Sequence, residues 1–458
     1  MKLERKLSRF ETLALSMAVI AMMVGASLNT PFVARFAGTS VPLVFIISTI
    51  GVLCIAQSFI RLSRLVGHAG SVYGLIRYAE GPTAGFFAGW ALLMTYGIFV
   101  STALFGFGYF AGVLVQPIAE VPWWIFSLVC AAVVWYFVYC DIKLSARVML
   151  AIEICSIMLL LLVAVIILSS RPNSLTPFAV GDAGWSGISQ ALVFGVLTFI
   201  GFEAAASLGE ESNKPSSDIP WAITATVLLA GIFFTFISYA QTIGYGLDHV
   251  SDFQASSSPT YELSLRYAGP LLTNIVTGGA LISTFAMAIG SGAAAVRLLM
   301  TLSRDGYITE QLASINRYGS PKAATHLIMG LNFILMIALA AFGEYGPFDL
   351  YGFTGVIATL TVLITYGMMS YGELRYFARS DIANGRWLRV AAPIVGMALA
   401  LYALIANVYP VPPSPFNYFP YLVLAYMAVG ALIWLPSRRQ APGVIDAYIL
   451  SSDGTKAD

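Results

Sequence analysis

Charge is scarce in this chain of 458 residues: Asp, Glu, Lys and Arg make up 10% of it, against 58% hydrophobic residues. That excludes an ordinary soluble globular protein of this length, which carries about a quarter charged residues. No G-x-x-x-x-G-K-[ST] run is present, which argues against ATP-driven pumping by the chain itself. The three histidines, His68, His249 and His326, are scattered, with no H-E-x-x-H and no paired carboxylates to form a catalytic set, so an enzyme is not expected. Neither metal-ligand nor redox spacing relates the four cysteines, Cys54, Cys130, Cys140 and Cys155, which read as packing residues. No short-period repeat is visible, which removes solenoids. No lysine stands at mid-depth in any apolar run, and neither polar end is long enough to bury a core of its own.

What fills the chain is a succession of apolar runs of about 20 residues, the length that crosses a hydrocarbon core. Twelve spans are expected, at 12–34, 41–62, 84–115, 122–140, 147–169, 187–209, 221–246, 270–302, 323–342, 348–377, 390–409 and 418–436. The first lacks a small-residue cleavage site and is followed by further spans, so it reads as a retained helix and not a cleaved signal. With the N-terminus inside, 21 of the 24 Lys and Arg residues fall in cytoplasmic positions, leaving Arg35, Arg171 and Arg266 outside. This bias sets the orientation and checks the span count. The expected fold class is therefore an all-α polytopic membrane protein with both termini cytoplasmic, its transport-sized domain covering 1–436 and a cytoplasmic tail 437–458.

Three stretches stand out. FIGFEAAASLGEESNKPSSDIP, Phe199 to Pro220, places Gly201 and the membrane-depth Glu203 together in an apolar run that ends in a charged loop. Span one carries Gly25-Ala26-Ser27, then Asn29 and Pro31, so helix-weakening residues occur in the first spans of two five-helix blocks. This pattern points to discontinuous helices with a binding site at mid-membrane. Where a membrane helix unwinds, free N–H groups attract a carboxylate and free carbonyls attract an ammonium or a metal cation. Gly25, Ala26 and Ser27 either admit a ligand close to the backbone or pack helices through their small size.

Glu203 is the sharpest single residue, because a carboxylate inside a span costs roughly 2.5 to 3.5 kcal/mol unless partnered or protonated. It reads either as a proton-binding, gate-coupling group or as the partner of amides freed at the break. Glu153 in span five lies about two turns from the cytoplasmic end and reads first as reaching the interface or Arg147. The segment Arg61 to Pro82 reads as an interfacial or re-entrant connector. Ser303 to Pro321 reads as a solvated intracellular loop coupled to helix movement, with no chemistry assigned.

Together, Gly25-Ala26-Ser27, the FIGFEA...EESNKPSSDIPWAI stretch from Phe199 to Ile223 and LSRDGYI from Leu302 to Ile308 resemble the amino acid-polyamine-organocation transporter superfamily over nearly the whole chain. The resemblance implies a five-plus-five inverted repeat, 12–169 and 187–377, with discontinuous helices 1 and 6 and two additional helices in 390–436. It implies alternating access around a site between spans one and six. There the substrate carboxylate meets the backbone of Gly25, Ala26 and Ser27, and its amino group meets carbonyls near Met23, Leu197 and Ile200. Gly201 lies at the same break, Tyr96 and Ser291 are implied as walls, and Phe199 or Phe202 as a gate. Two departures are visible: Ala21 and Ser27 stand at glycine positions of the family's G-x-x-x-G-x-G pattern, and Ser156 stands where some relatives carry a lysine.

The function expected is a secondary transporter or exchanger for an amino acid or close derivative, in the plasma membrane, with no cofactor and no nucleic-acid partner. Coupling would use H+ at Glu203, a Na+ site built from carbonyls and a span-eight hydroxyl such as Ser283 or Thr284, or neither, as an exchanger. A polyamine or organic-amine carrier is the alternative; it would leave the span-one amides unused and favour an acidic residue in the pocket. A membrane nutrient sensor that binds without transporting is the third.

Overall fold

The computed structural model describes residues 8–65, 72–140, 146–208, 212–409 and 411–437. The tail 438–458, residues 66–71 of the expected connector and 209–211 of the charged loop after span six lie outside the described residues, as does the side chain of Arg147. Among the described residues regular structure is all helical, with an isolated bridge between Ile315 and Pro321. In chain order the helices are α1 (Arg9–Ile20), α2 (Met22–Val24), α3 (Thr30–Ala37), α4 (Val41–Leu65), α5 (Val72–Glu80), α6 (Pro82–Val115), α7 (Trp123–Tyr139) and α8 (Ala146–Ser170). They continue as α9 (Gly184–Leu197), α10 (Pro215–Tyr245), α11 (Val250–Ala255), α12 (Pro259–Arg304), α13 (Lys322–Phe342), α14 (Pro347–Ala383), α15 (Trp387–Ala406) and α16 (Phe419–Ser437). Ten helical stretches among the described residues are long and apolar enough to cross a membrane, and α7 is a shorter apolar helix. The protein is an integral, multi-pass membrane protein.

Local chemistry sets where these helices begin. Ser8 and Glu11 form a reciprocal cap at the start of α1, the Ser8 amide donating to Glu11 at 2.8 Å. Pro82, Pro215, Pro259 and Pro347 open their helices where the missing N–H has no intrahelical partner to lose. Asp218, in the first turn of α10, accepts from the Lys214 amide at 3.1 Å and from Ser212 Oγ at 3.2 Å, closing the loop after span six onto the helix it feeds. Within α12, Gly269 (φ 81°) and Pro270 divide a short helix, 259–268, from the long one, 270–304.

α6 packs along α12 and α14, α10 along α4, and α15 against both α4 and α14. α16 is outermost, with Tyr421, Leu424 and Leu432 exposed where lipid would cover them. The LSRDGYI turn differs from a solvated loop. Gly306 (φ 82°) turns the chain back so that Asp305 and Tyr307 are buried against α5. Tyr73 donates to Asp305 at 2.6 Å, and Arg77 lies 3.4 Å from the same carboxylate oxygen and 2.8 Å from the Tyr73 hydroxyl. Burial and the Asp305 charge push the Tyr73 hydroxyl well up from its ordinary value, so it stays a donor. The expected connector and the expected coupling loop are thus fastened to each other by a buried ion pair.

Candidate functional site

α1 stops at Ile20, and Ala21 takes a left-handed conformation, φ 50° and ψ 65°, that a non-glycine residue rarely holds. The chain resumes as α2 and passes through a π turn, Gly25–Asn29, into α3. The interruption therefore lies one turn before Gly25-Ala26-Ser27, at one of the positions where the family pattern carries glycine. Gly25 itself is right-handed helical, and its N–H bonds to the Ala21 carbonyl at 3.0 Å. Its small size serves packing, since a Cβ there would lie 2.8 Å from Thr198 Cγ2 and 2.9 Å from Phe234 Cε1.

In span six, α9 ends at Leu197, the backbone is irregular to Gly201 (φ 110°), and a 3-10 segment runs Phe202–Leu208. A Cβ on Gly201 would sit 2.5 Å from Val19 Cγ1 and 3.0 Å from the Ile20 nitrogen. The two interruptions thus lie against each other. Ser16 on α1 fastens them, donating to the Phe202 carbonyl at 3.1 Å and accepting from the Ala205 amide at 2.9 Å.

Two buried carboxylates attend these breaks. Glu203 accepts from Tyr96 on α6 at 2.9 Å, from Tyr366 on α14 at 2.7 Å and from the Gly201 amide at 3.1 Å. It therefore joins spans three, six and ten through a single side chain. Glu153 on α8 is 3% exposed and accepts from Ser283 on α12 at 3.0 Å. Its carboxylate also faces the amides of Met22 and Met23, the first free N–H groups after the span-one break. Oε1 of Glu153 has no hydrogen-bond partner.

The other expected site residues are buried as well. Ser27 donates to the Met23 carbonyl at 2.8 Å and accepts from Thr260 at 2.8 Å, so the short helix 259–268 sits over the π turn. Gln241 on α10 donates to the Ala26 carbonyl at 2.8 Å. The Leu197 carbonyl accepts from the Ile200 amide at 3.2 Å. Phe199 packs edge-on against Phe234, while Phe202 packs against Phe59 and Tyr366. Ser291 is fully buried, its hydroxyl unpartnered. Ser156 lies where α8 and α12 approach closely, 3.1 Å from a Cβ placed on Gly279. Thr284 donates to the Leu281 carbonyl at 2.7 Å. Among the described residues no group of three or more His, Cys, Asp and Glu is placed to hold a metal ion. Beside Gln241 and Thr260, apolar residues of α8 and α10 line a cavity of about 10 Å³, room for one water. In this conformation several groups at the breaks are met internally: the Met22 and Met23 amides by Glu153, the Met23 carbonyl by Ser27, the Ala26 carbonyl by Gln241 and the Phe202 carbonyl by Ser16.

Sequence reasoning missed Tyr366 and Gln241. Both had a signal, as polar side chains within apolar spans ten and seven, but only the fold shows what they bond.

Residues 15–436 match the protein family described as amino acid permease. A branched-chain amino acid permease of Bacillus subtilis (strain 168) is 26% identical over 343 residues, 70% of this chain and 72% of its own length. A branched-chain amino acid permease of Lactococcus lactis subsp. cremoris (strain MG1363) is 22% identical over 410 residues, 82% of this chain and 84% of its own. A low-affinity putrescine importer of Escherichia coli (strain K12) is 26% identical over 363 residues, 76% of this chain and 74% of its own.

Proposed function

This chain belongs to the amino acid permease family, and from that premise we propose that it is a secondary carrier moving an amino acid or a small organic amine across the plasma membrane by alternating access. The names of its relatives support both substrate classes. The observation that carries the reading is the contact between two interrupted helices, Gly201 of span six against Val19 and Ile20 of span one. Interrupted helices meeting at mid-membrane offer backbone donors and acceptors to a solute that would otherwise lose its water.

The proposed architecture has twelve spans. Dividing the stretch Met22–Arg64 at Gly38–Ser40 and counting α7 brings the ten long helices to that number. The repeats are taken as 12–169 and 187–377, followed by 390–436, with both termini cytoplasmic. The substrate is held between the interruptions, with Tyr96 and Ser291 as walls and Phe199 and Phe202 as covers. Coupling to a proton or sodium ion is part of the proposal, and Glu203 is its gating residue because it joins three helices whose separation would open the site.

Counterflow in proteoliposomes of the purified full chain tests this. Vesicles preloaded with leucine or with putrescine should take up the labelled solute by exchange. Absence of exchange with every amino acid and amine tried would sink the carrier reading; binding without exchange would mark a sensor.

A further inference from the structure

A carboxylate buried at membrane depth persists when donors surround it. Glu203 meets that condition with two tyrosine hydroxyls and an amide. Glu153 meets it on one side only. The Ser283 hydroxyl and the Met22 and Met23 amides supply its donors, and Oε1 remains without a partner in a side chain that is almost fully buried.

The supply of donors and acceptors around the span-one break is also lopsided. The Gly25 amide is bonded to Ala21, the Ser27 hydroxyl donates to the Met23 carbonyl, and the outward-facing amides of Met22 and Met23 are turned to Glu153. None of these is free for a substrate carboxylate. Open acceptors remain: Glu153 Oε1, and Gln241 Oε1 on a side chain whose nitrogen is held by Ala26. The missing partner is a donor, and one bearing positive charge would also offset the buried carboxylate. A primary ammonium supplies three N–H groups and that charge.

We infer that Glu153, held by Ser283 beside the span-one break, is the receptor for the ammonium group of the substrate, so that the carrier recognises its solute by a primary amine and does not require an α-carboxylate. This rests on the carrier reading above. It deepens that reading by naming the recognised group and moving recognition from the span-one amides to a span-five side chain.

The test uses the purified full chain and four probes: leucine, 3-methylbutylamine (leucine without its carboxylate), 4-methylpentanoate (leucine without its amine) and putrescine. Binding is read by thermal shift and transport by counterflow. The wild type should be stabilised by at least one of the amine-bearing probes lacking a carboxylate, and not by 4-methylpentanoate. Glu153→Gln should weaken amine binding by about tenfold or more, the scale of a lost charge-assisted hydrogen bond. Glu153→Asp should recover part of it. If Glu153→Gln does not fold, Ser283→Ala decides, with a smaller loss of amine affinity expected as the carboxylate loses its positioning hydroxyl. Wild-type amine affinity in a folded Glu153→Gln or Ser283→Ala protein that still transports would overturn the inference alone, as would stabilisation by 4-methylpentanoate equal to that by leucine. No binding and no counterflow of any probe by the wild type would overturn the carrier reading and this inference with it.

Discussion

Glu203 and Glu153 are both buried carboxylates beside a helix interruption, yet their surroundings are opposite. Glu203 is saturated: Tyr96, Tyr366 and the Gly201 amide each donate to it, and through it three spans are joined. Glu153 is held from one side by Ser283 and the Met22 and Met23 amides and keeps an open oxygen. From the sequence, Glu203 reads as the functional acid and Glu153 as an interfacial one. The difference teaches that depth alone does not assign a role to a membrane carboxylate. Whether both oxygens have a fixed donor does, because a saturated carboxylate stabilises the arrangement that supplies its donors, whereas an open one has unused capacity for a ligand.

Both environments depend on the two breaks staying in contact, and Gly201→Ala would disturb that contact most severely. A side chain at φ 110°, with its Cβ 2.5 Å from Val19, combines backbone strain with overlap against a rigid neighbour. The expected cost is at least about 3 kcal/mol. Size-exclusion profiles in detergent should show little folded variant. A wild-type yield would mean that span one retreats readily and that the contact is not a fixed element.

Glu203→Gln comes next. The amide NH2 would replace one acceptor oxygen and point a donor at a tyrosine hydroxyl or the Gly201 amide, leaving a buried group unpartnered at a cost of about 1–3 kcal/mol. Thermal stability should fall, and the pH dependence of uptake should be lost or shifted; unchanged pH dependence would remove Glu203 from coupling. Glu153→Gln supplies the contrast. Oε1 has no donor to lose, so an amide nitrogen at that position strands nothing, and the expected change in stability without ligand is within about 1 kcal/mol. Melting temperatures that ranked the two variants in the reverse order would dissolve the distinction between a saturated and an open carboxylate.

Much of this was legible in the chain. Apolar runs marked the long helices, because a helix in hydrocarbon satisfies its own backbone and needs only length and apolarity. The expected start of span eight at 270 agrees with the division of α12 at Gly269 and Pro270. The span-six break was readable from Gly201 beside Glu203. The span-one break was displaced: Gly25 drew attention as the glycine, but it is small to fit against Thr198 and Phe234, while Ala21 takes the left-handed conformation. Glycine content does not separate a need for backbone freedom from a need for space. Partners distant in sequence were not legible at all. Nothing near Glu203 announces Tyr366, 163 residues away, and nothing in LSRDGYI announces that Asp305 is buried against Arg77 and Tyr73.

A third carboxylate sharpens the comparison by lying at the edge. Glu80 ends α5, outside the spans, about half-buried against α14, where Gly372 approaches it and Tyr78 bonds Tyr376 at 2.9 Å. Like Glu153 it keeps a buried, unpartnered oxygen. Burial pushes its carboxyl up from 4.5 to about 7, with the Arg375 charge working in the other direction. Between those values the folded protein retains a proton that the unfolded chain releases. The contribution of Glu80 to stability is therefore complete below the unfolded value and is lost as pH rises through about 7. Glu80→Gln stays neutral throughout. The variant should match the wild type in melting temperature near pH 5 and exceed it near pH 8, by no more than about 1 kcal/mol because solvent screens a group this exposed. A difference that stays flat across that range would mean that water already serves the open oxygen of Glu80. Only an oxygen sealed from water, such as Oε1 of Glu153, would then count as an unfilled position.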